Sequence, residues 1–325
     1  MIKFRGIVKS YGSTRAVDGV DLEIGAGELC VLIGPSGCGK STLLRTVNRM
    51  VEPDEGEVRV DGRPVRERPA EDLRRTMGYV IQSVGLFPHM TVGENVAVVP
   101  RLLGMERSAI AKRSAAMLDL VGLSPAWSRR WPRELSGGEA QRVGVARALA
   151  ADPPILLMDE PFGSVDPLTR VRLQREFLAI QRRLHKTVLF VTHDVEEAIR
   201  MADRIAVMRS GRILRYATPE EFVASDAEGF VTEFLGLEYG VEILSRRSVR
   251  EVLESAEGTE DARASRPDQP LDSSAPAVRV DSNLKEALGL MAARRVECLA
   301  VTDDRGRRVG TLRLEDVLGT WRACP

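Results

Sequence analysis

The sequence predicts an α/β fold, with a parallel sheet that carries a phosphate-binding loop and a smaller α/β region near the C-terminus. Three observations lead there. Residues 29–50, LCVLIGPSGCGKSTLLRTVNRM, join an apolar run, a glycine-rich turn and a helical pattern. Two later apolar runs, Ile155–Met158 and Val188–Val191, each end abruptly in polar side chains, as buried strands do at the edge where α/β sheets bind ligands. After a polar stretch at 257–275 the hydrophobic pattern resumes in the order β-α-β-β-α.

In the first of these, Leu29–Ile33 reads as a strand buried on both faces, and Leu43, Leu44 and Val47 recur at helical spacing. Between them Gly34-Pro35-Ser36-Gly37-Cys38-Gly39-Lys40-Ser41-Thr42 fits G-x-x-x-x-G-K-[ST] in the required strand-before, helix-after setting. The three glycines let successive backbone N–H groups face an anion, and the start of the following helix adds its positive end. Lys40 supplies a mobile charge for the β- and γ-phosphates of a nucleotide, and Ser41 a hydroxyl for Mg²⁺.

The bulk properties set limits. At 325 residues two domains are expected, and 47 basic against 47 acidic side chains leave no overall field for nucleic acid. No apolar run is long enough to span a membrane, and the N-terminus lacks the apolar core of a signal peptide. Four scattered cysteines, Cys30, Cys38, Cys298 and Cys324, fit a reducing compartment better than a disulfide framework. Cys38 sits in the loop's positive field, and two readings stand: a reactive thiol, or a small side chain tolerated there.

Residues 2–8 and 20–24 alternate like half-buried strands, with Tyr11 on the turn between them, where its ring is placed to stack on a base. Residues 78–81 form a short strand leading to Gln82. The apolar segment after it, with Leu86, Phe87 and Met90 around Pro88, is either core or a docking surface. A helical insertion is expected over 91–127, clearest at Lys112–Leu120. Ser136 and Glu139 then make a capping box around Gly137 and Gly138, opening a helix with Val143, Ala146, Leu149 and Ala150 on its apolar face. Asp159 and Glu160 end the next strand, and they are suited to hold Mg²⁺ through water and to polarise an attacking water. His193 ends the strand after that, in reach of a γ-phosphate, whereas His89 and His185 read as loop and surface residues.

Phosphate loop, Gln82, LSGGE at 135–139, ILLMDEP at 155–161, Ser164-Val165-Asp166 and His193 in this order resemble the nucleotide-binding subunit of an ABC transporter. The resemblance implies a RecA-like core with a helical subdomain over residues 1–236, and ATP and Mg²⁺ as ligands. It places Tyr11 on the adenine, and Gln82 with Ser41 and Asp159 at the metal. Ser136, Gly137, Gly138 and Glu139 would touch ATP bound by the opposite subunit, and Asp166 would stand in the D-loop. The implied partners are a second ATPase subunit, transmembrane permease subunits and, indirectly, an extracytoplasmic solute-binding protein, with the chain peripheral on the cytoplasmic face of the membrane. Two positions depart from the family pattern: Glu139 stands where Gln is commoner, and Val165 where Ala or Leu is frequent. Neither departure removes a metal ligand or the presumed base.

The stretch VIQSVGLFPHMTVGENV, with LSGGEAQR and FGSVDP, is similar to importers of quaternary amines such as glycine betaine, carnitine and choline. A different solute is the alternative, and a non-transport ABC ATPase the more distant one, since the chain has one cassette and no long heptad run. Residues 276–325 resemble a CBS motif, a module that works in pairs, with 237–275 holding at most a partial second copy and a polar linker. A generic dimerisation domain is the other reading of that region.

Overall fold

The computed structural model describes residues 1–82, 85–163, 165–224, 244–256 and 276–317. The chain forms two compact units, Met1–Tyr216 and Ala217–Pro325.

The first unit opens with a hairpin of β1 (Ile2–Tyr11) and β2 (Thr14–Ile24). Tyr11, expected on a turn, is the last residue of β1 and pairs with Thr14. The strands run longer than their alternation suggests because register shifts near Ile7 and Lys9 interrupt it, as β-bulges do. With β4 (Glu55–Val60) and β5 (Arg63–Pro64) they form an antiparallel sheet in the order β2-β1-β4-β5.

The second sheet holds the site. Its strands β3 (Leu29–Ile33), β6 (Met77–Val80), β7 (Ile155–Asp159), β8 (Thr187–Val191), β9 (Arg204–Arg209) and β10 (Arg212–Ala217) lie in the order β10-β9-β3-β8-β7-β6. From β9 to β6 neighbouring strands are parallel. All residues of β3, β7 and β8 are buried, as strands covered on both faces must be. β9 returns to β10 through Ser210 and Gly211, both at positive φ (49° and 81°), the geometry of a tight hairpin turn. One apolar cluster joins the two sheets through Ile2, Phe4 and Ile24 on one side and Leu32, Leu157 and Val191 on the other. Leu43, Leu44 and Val47 of α1 (Lys40–Val47) belong to the same cluster.

After α2 (Ala70–Arg75) and β6 comes the helical insertion: α3 (Val92–Leu102), α4 (Arg107–Leu120) and α5 (Gly137–Leu149), which pack on one another. The segment before α3 resolves toward the surface reading, since Phe87 is 40% exposed. α6 (Pro167–Leu184) and α7 (Val195–Met201) follow β7 and β8.

The second unit contains α8 (Pro219–Ala224), α9 (Val249–Ala256), β11 (Ala277–Arg279), α10 (Leu284–Arg294), β12 (Cys298–Thr302) and β13 (Arg308–Arg313), with residues 314–317 again helical. β12 pairs parallel to β11 and antiparallel to β13, around a core of Val249, Leu284, Met291, Leu299, Val301 and Leu312. The expected β-α-β-β-α order is present. The domain limit at Gly236 and the linker 257–275 lie outside the described residues.

Candidate active site

Parallel pairing in register decides which side chains meet. Leu32 of β3 and Asp159 of β7 are both opposite Val191 of β8, and Val80 of β6 is opposite Met158. The segments that leave these strands, 34–42, 160–163, 192–194 and Gln82, therefore emerge along one edge of the sheet. Residues separated by more than a hundred positions become neighbours there.

The phosphate loop is shaped by two close backbone approaches. A Cβ on Gly34 would lie 2.1 Å from the Met208 carbonyl, and one on Gly39 would lie 2.0 Å from the Ala16 carbonyl. At these positions no other residue fits. Pro35, Ser36 and Gly37 form the exposed crown of the loop. Gly39 opens α1 without a side-chain cap, which leaves the first N–H groups of that helix, at Lys40, Ser41 and Thr42, suited to an anion. Lys40 is 6% exposed, and its Nζ donates to the Gly34 and Pro35 carbonyls at 2.7 and 3.1 Å. Cys38 is buried, and burial holds its thiol above the ordinary range, so the tolerated small side chain is the better account of it.

Ser41 Oγ donates to Asp159 Oδ1 at 2.7 Å, which places two hard oxygen donors together at the loop. Among the described residues no three His, Cys, Asp or Glu side chains converge on a metal position. Such a sparse oxygen set suits Mg²⁺, which keeps water and phosphate as its other ligands. The second Asp159 oxygen is held by Arg45 at 3.1 Å, and the neighbouring Tyr79 phenol is the main cause of the raised Arg45 pKa. Sequence reasoning passed over Arg45, although its place one turn beyond Ser41 on α1 was a signal.

Glu160 adopts φ +47°, uncommon outside glycine, and its N–H donates to the Val191 carbonyl at 2.9 Å. Its carboxylate receives a hydrogen bond from Gln82 Nε2 at 3.0 Å and faces His193 Nδ1 at 3.3 Å. A carboxylate steered by an amide and flanked by an imidazole can draw a proton from a water lying on the loop side. Tyr11 is 53% exposed, with Lys9 Nζ 5.7 Å from its ring centre.

At the start of α5 the capping box is complete. Ser136 Oγ accepts from the Glu139 N–H at 3.4 Å, and Glu139 Oε2 accepts from the Ser136 N–H at 2.8 Å, which lowers the carboxyl pKa. Glutamate and glutamine both supply the acceptor oxygen this box requires, so the departure at 139 leaves the local structure intact. Ser136 and Gly137 stay exposed. Asp166 caps α6, accepting from the Thr169 N–H at 3.1 Å.

A glycine-walled phosphate loop on a buried parallel strand, facing Asp159 and Glu160 at the end of the next strand but one, defines a P-loop nucleoside triphosphatase. Comparison with known proteins narrows this. A family model described as "ABC transporter" matches residues 17–163, and one described as "CBS domain" matches residues 271–321. The glycine betaine/carnitine/choline transport ATP-binding protein OpuCA of Bacillus subtilis (strain 168) is 42% identical over 316 residues, 97% of this chain and 79% of that one. The glycine betaine uptake system ATP-binding protein YehX of Escherichia coli (strain K12) is 43% identical over 319 residues, 98% and 99% of the two chains. Among solved structures, the dimeric MJ0796 ABC transporter cassette aligns with a TM-score of 0.61 at 33% identity, covering 67% of this chain and 98% of that one. The chain belongs to the family of ABC transporter ATP-binding proteins and is an ATP-hydrolysing subunit with a CBS domain. Among its described residues no helix is long and apolar enough to cross a membrane.

Proposed function

We propose that this subunit powers the import of a quaternary-amine osmoprotectant such as glycine betaine, carnitine or choline. The observation that carries the reading is that its similarity to proteins named for those solutes extends over 97% and 98% of the chain and through the C-terminal region. A cassette shared by all ABC importers would account for the first unit alone.

In this reading residues 1–236 form the ATPase domain, 237–275 a partial CBS-like segment and polar linker, and 276–325 the CBS-like motif. Tyr11 stacks on adenine, and Gly34 to Thr42 hold the phosphates. Ser41, Gln82 and, through water, Asp159 hold Mg²⁺, which when bound would neutralise phosphate charge. Glu160 polarises the attacking water and His193 hydrogen-bonds the γ-phosphate. Ser136, Gly137, Gly138 and Glu139 complete the site of a second copy of the chain, and Asp166 lies at the same contact. The exposure of Ser136 and Gly137 supports that role, because a side chain reserved for a partner is left uncovered in the monomer.

The chain works on the cytoplasmic face of the membrane and docks on permease subunits through residues 83–100. The described part of that region supports docking: Phe87 is exposed, and a groove of about 860 Å³ runs past Thr91, Glu94 and Ala97 to Arg101 and Met105. The CBS-like motif pairs with its copy in the second subunit and tunes transport to ionic strength. Deleting residues 257–325 is expected to remove the salt dependence of uptake.

The test is uptake of labelled glycine betaine after a hypertonic shift, in cells with and without the chain. Loss on deletion with recovery on complementation is expected. Unchanged uptake of betaine, carnitine and choline would move the assignment to another solute.

A further inference from the structure

Two polar ties join α6 to the turn that carries His193 and to α7, which follows it, and the reaction described above uses neither of them. In the first, one guanidinium reaches both ways. Arg170 donates through one terminal nitrogen to the Val165 carbonyl at 3.0 Å and through the other to Asp194 Oδ2 at 3.4 Å. The first acceptor precedes the Asp166 cap of α6, and the second adjoins His193. Its Nε is buried and has no hydrogen-bond partner among the described residues, so the side chain is committed to these two contacts.

The second tie lies one helical turn along. Gln174 Nε2 donates to Glu197 Oε1 at 2.9 Å, and Arg200 donates to Gln174 Oε1 at 2.6 Å. Gln174 and Glu197 are 1% and 4% exposed. The turn itself is closed by the Asp194 N–H on Thr192 Oγ1 at 3.0 Å and by the Glu197 N–H on Asp194 Oδ1 at 3.0 Å. The turn is thus held to α6 through the Asp194 side chain, and α7 beyond it is held to α6 a second time, while the His193 side chain remains 58% exposed and 3.3 Å from Glu160.

We propose that Arg170 is a positioning residue that couples the Val165–Asp166 segment to His193, so that a displacement at the start of α6 moves the imidazole relative to Glu160. The planar guanidinium with two donors suits this task, because it holds two acceptors in a fixed relation that a lysine ammonium does not impose. The coupling deepens the proposed function and rests on His193 acting at the γ-phosphate. Where Asp166 meets a second copy of the chain, the same link carries contact at the dimer surface to the hydrolytic site.

The test compares ATP turnover by the purified full-length chain with that of Arg170→Met, Asp194→Asn, the double variant and His193→Ala, with thermal unfolding measured for each. Asn at 194 keeps the oxygen that caps α7 and replaces the acceptor facing Arg170 with an NH2 donor, so it breaks that contact while the cap stays. The expected result is a fall in kcat of about tenfold for each of the first two, with KM for ATP unchanged and no further fall in the double variant. Arg170→Lys should recover only part of the rate. Native kcat in Arg170→Met, or independent additive losses in the double variant, would overturn the coupling. Native turnover in His193→Ala would instead overturn the role of the histidine on which it rests.

Discussion

Gln82 and Glu160, 78 positions apart in sequence, share a hydrogen bond of 3.0 Å between Nε2 and Oε2. Neither side chain sits inside a regular element. β6 ends at Val80 and β7 at Asp159, and the parallel pairing of these two strands alone brings their trailing residues together. The contact ties Gln82 to the carboxylate proposed as the base.

Lys40→Ala removes both the charge aimed at phosphate and the donor that satisfies the Gly34 and Pro35 carbonyls. Hydrogen bonds to charged groups contribute about 1.5–3 kcal/mol, so nucleotide affinity should fall roughly ten- to hundredfold. Titration with a fluorescent ATP analogue measures it. Unchanged affinity would mean that the ammonium never leaves the loop carbonyls.

The glycines of the loop are not equivalent. Gly37 has φ +79° and open space around an added Cβ, so Gly37→Ala should cost about 1–2 kcal/mol of backbone strain. Gly39→Ala adds a backbone clash at 2.0 Å to a φ of +107°, and should cost several-fold more in thermal stability and abolish nucleotide binding. Equal unfolding midpoints for the two variants would contradict this steric account.

Burial raises the Glu197 carboxyl from its ordinary value of 4.5 to about 7, with the Thr192 hydroxyl and Gln174 opposing the shift. Asp194 and Arg170 are the charged neighbours that act on it. Because the folded-state pKa is raised, the folded chain binds the extra proton between these two values. The stabilising contribution is full below about 4.5 and is lost as pH rises through about 7. Between pH 5 and 8 the native chain should therefore lose a few kcal/mol relative to Glu197→Gln, which cannot ionise. Unfolding midpoints that stay parallel across this range would show that the carboxyl ionises without cost.

Much of this site was legible in the sequence because its parts are local. A strand, a glycine turn and a helix start define the phosphate loop within a few residues, and an apolar run ending in Asp159-Glu160 or Thr192-His193 marks a strand edge without knowledge of its neighbours. The capping box at Ser136 and Glu139 is local in the same sense. What stayed hidden depends on packing between elements. Arg45 on Asp159, Arg170 on Asp194 and Gln174 on Glu197 look like ordinary charged and polar positions on helices until their partners are placed. Tyr11 was misplaced on a turn because bulges in β1 broke the period on which strand reading depends. The fate of Phe87 was undecided for a related reason, since an apolar side chain carries no mark of whether it is covered.

The most direct test of the account is Glu160→Gln in cells that lack the native chain, with uptake of labelled glycine betaine measured after a hypertonic shift and ATP binding and turnover measured on the purified protein. Glu160→Gln should bind ATP, fail to turn it over and fail to restore uptake, while the native chain restores it. Normal turnover and full uptake with Gln at position 160 would remove Glu160 as the base, and with it the mechanism proposed for this subunit.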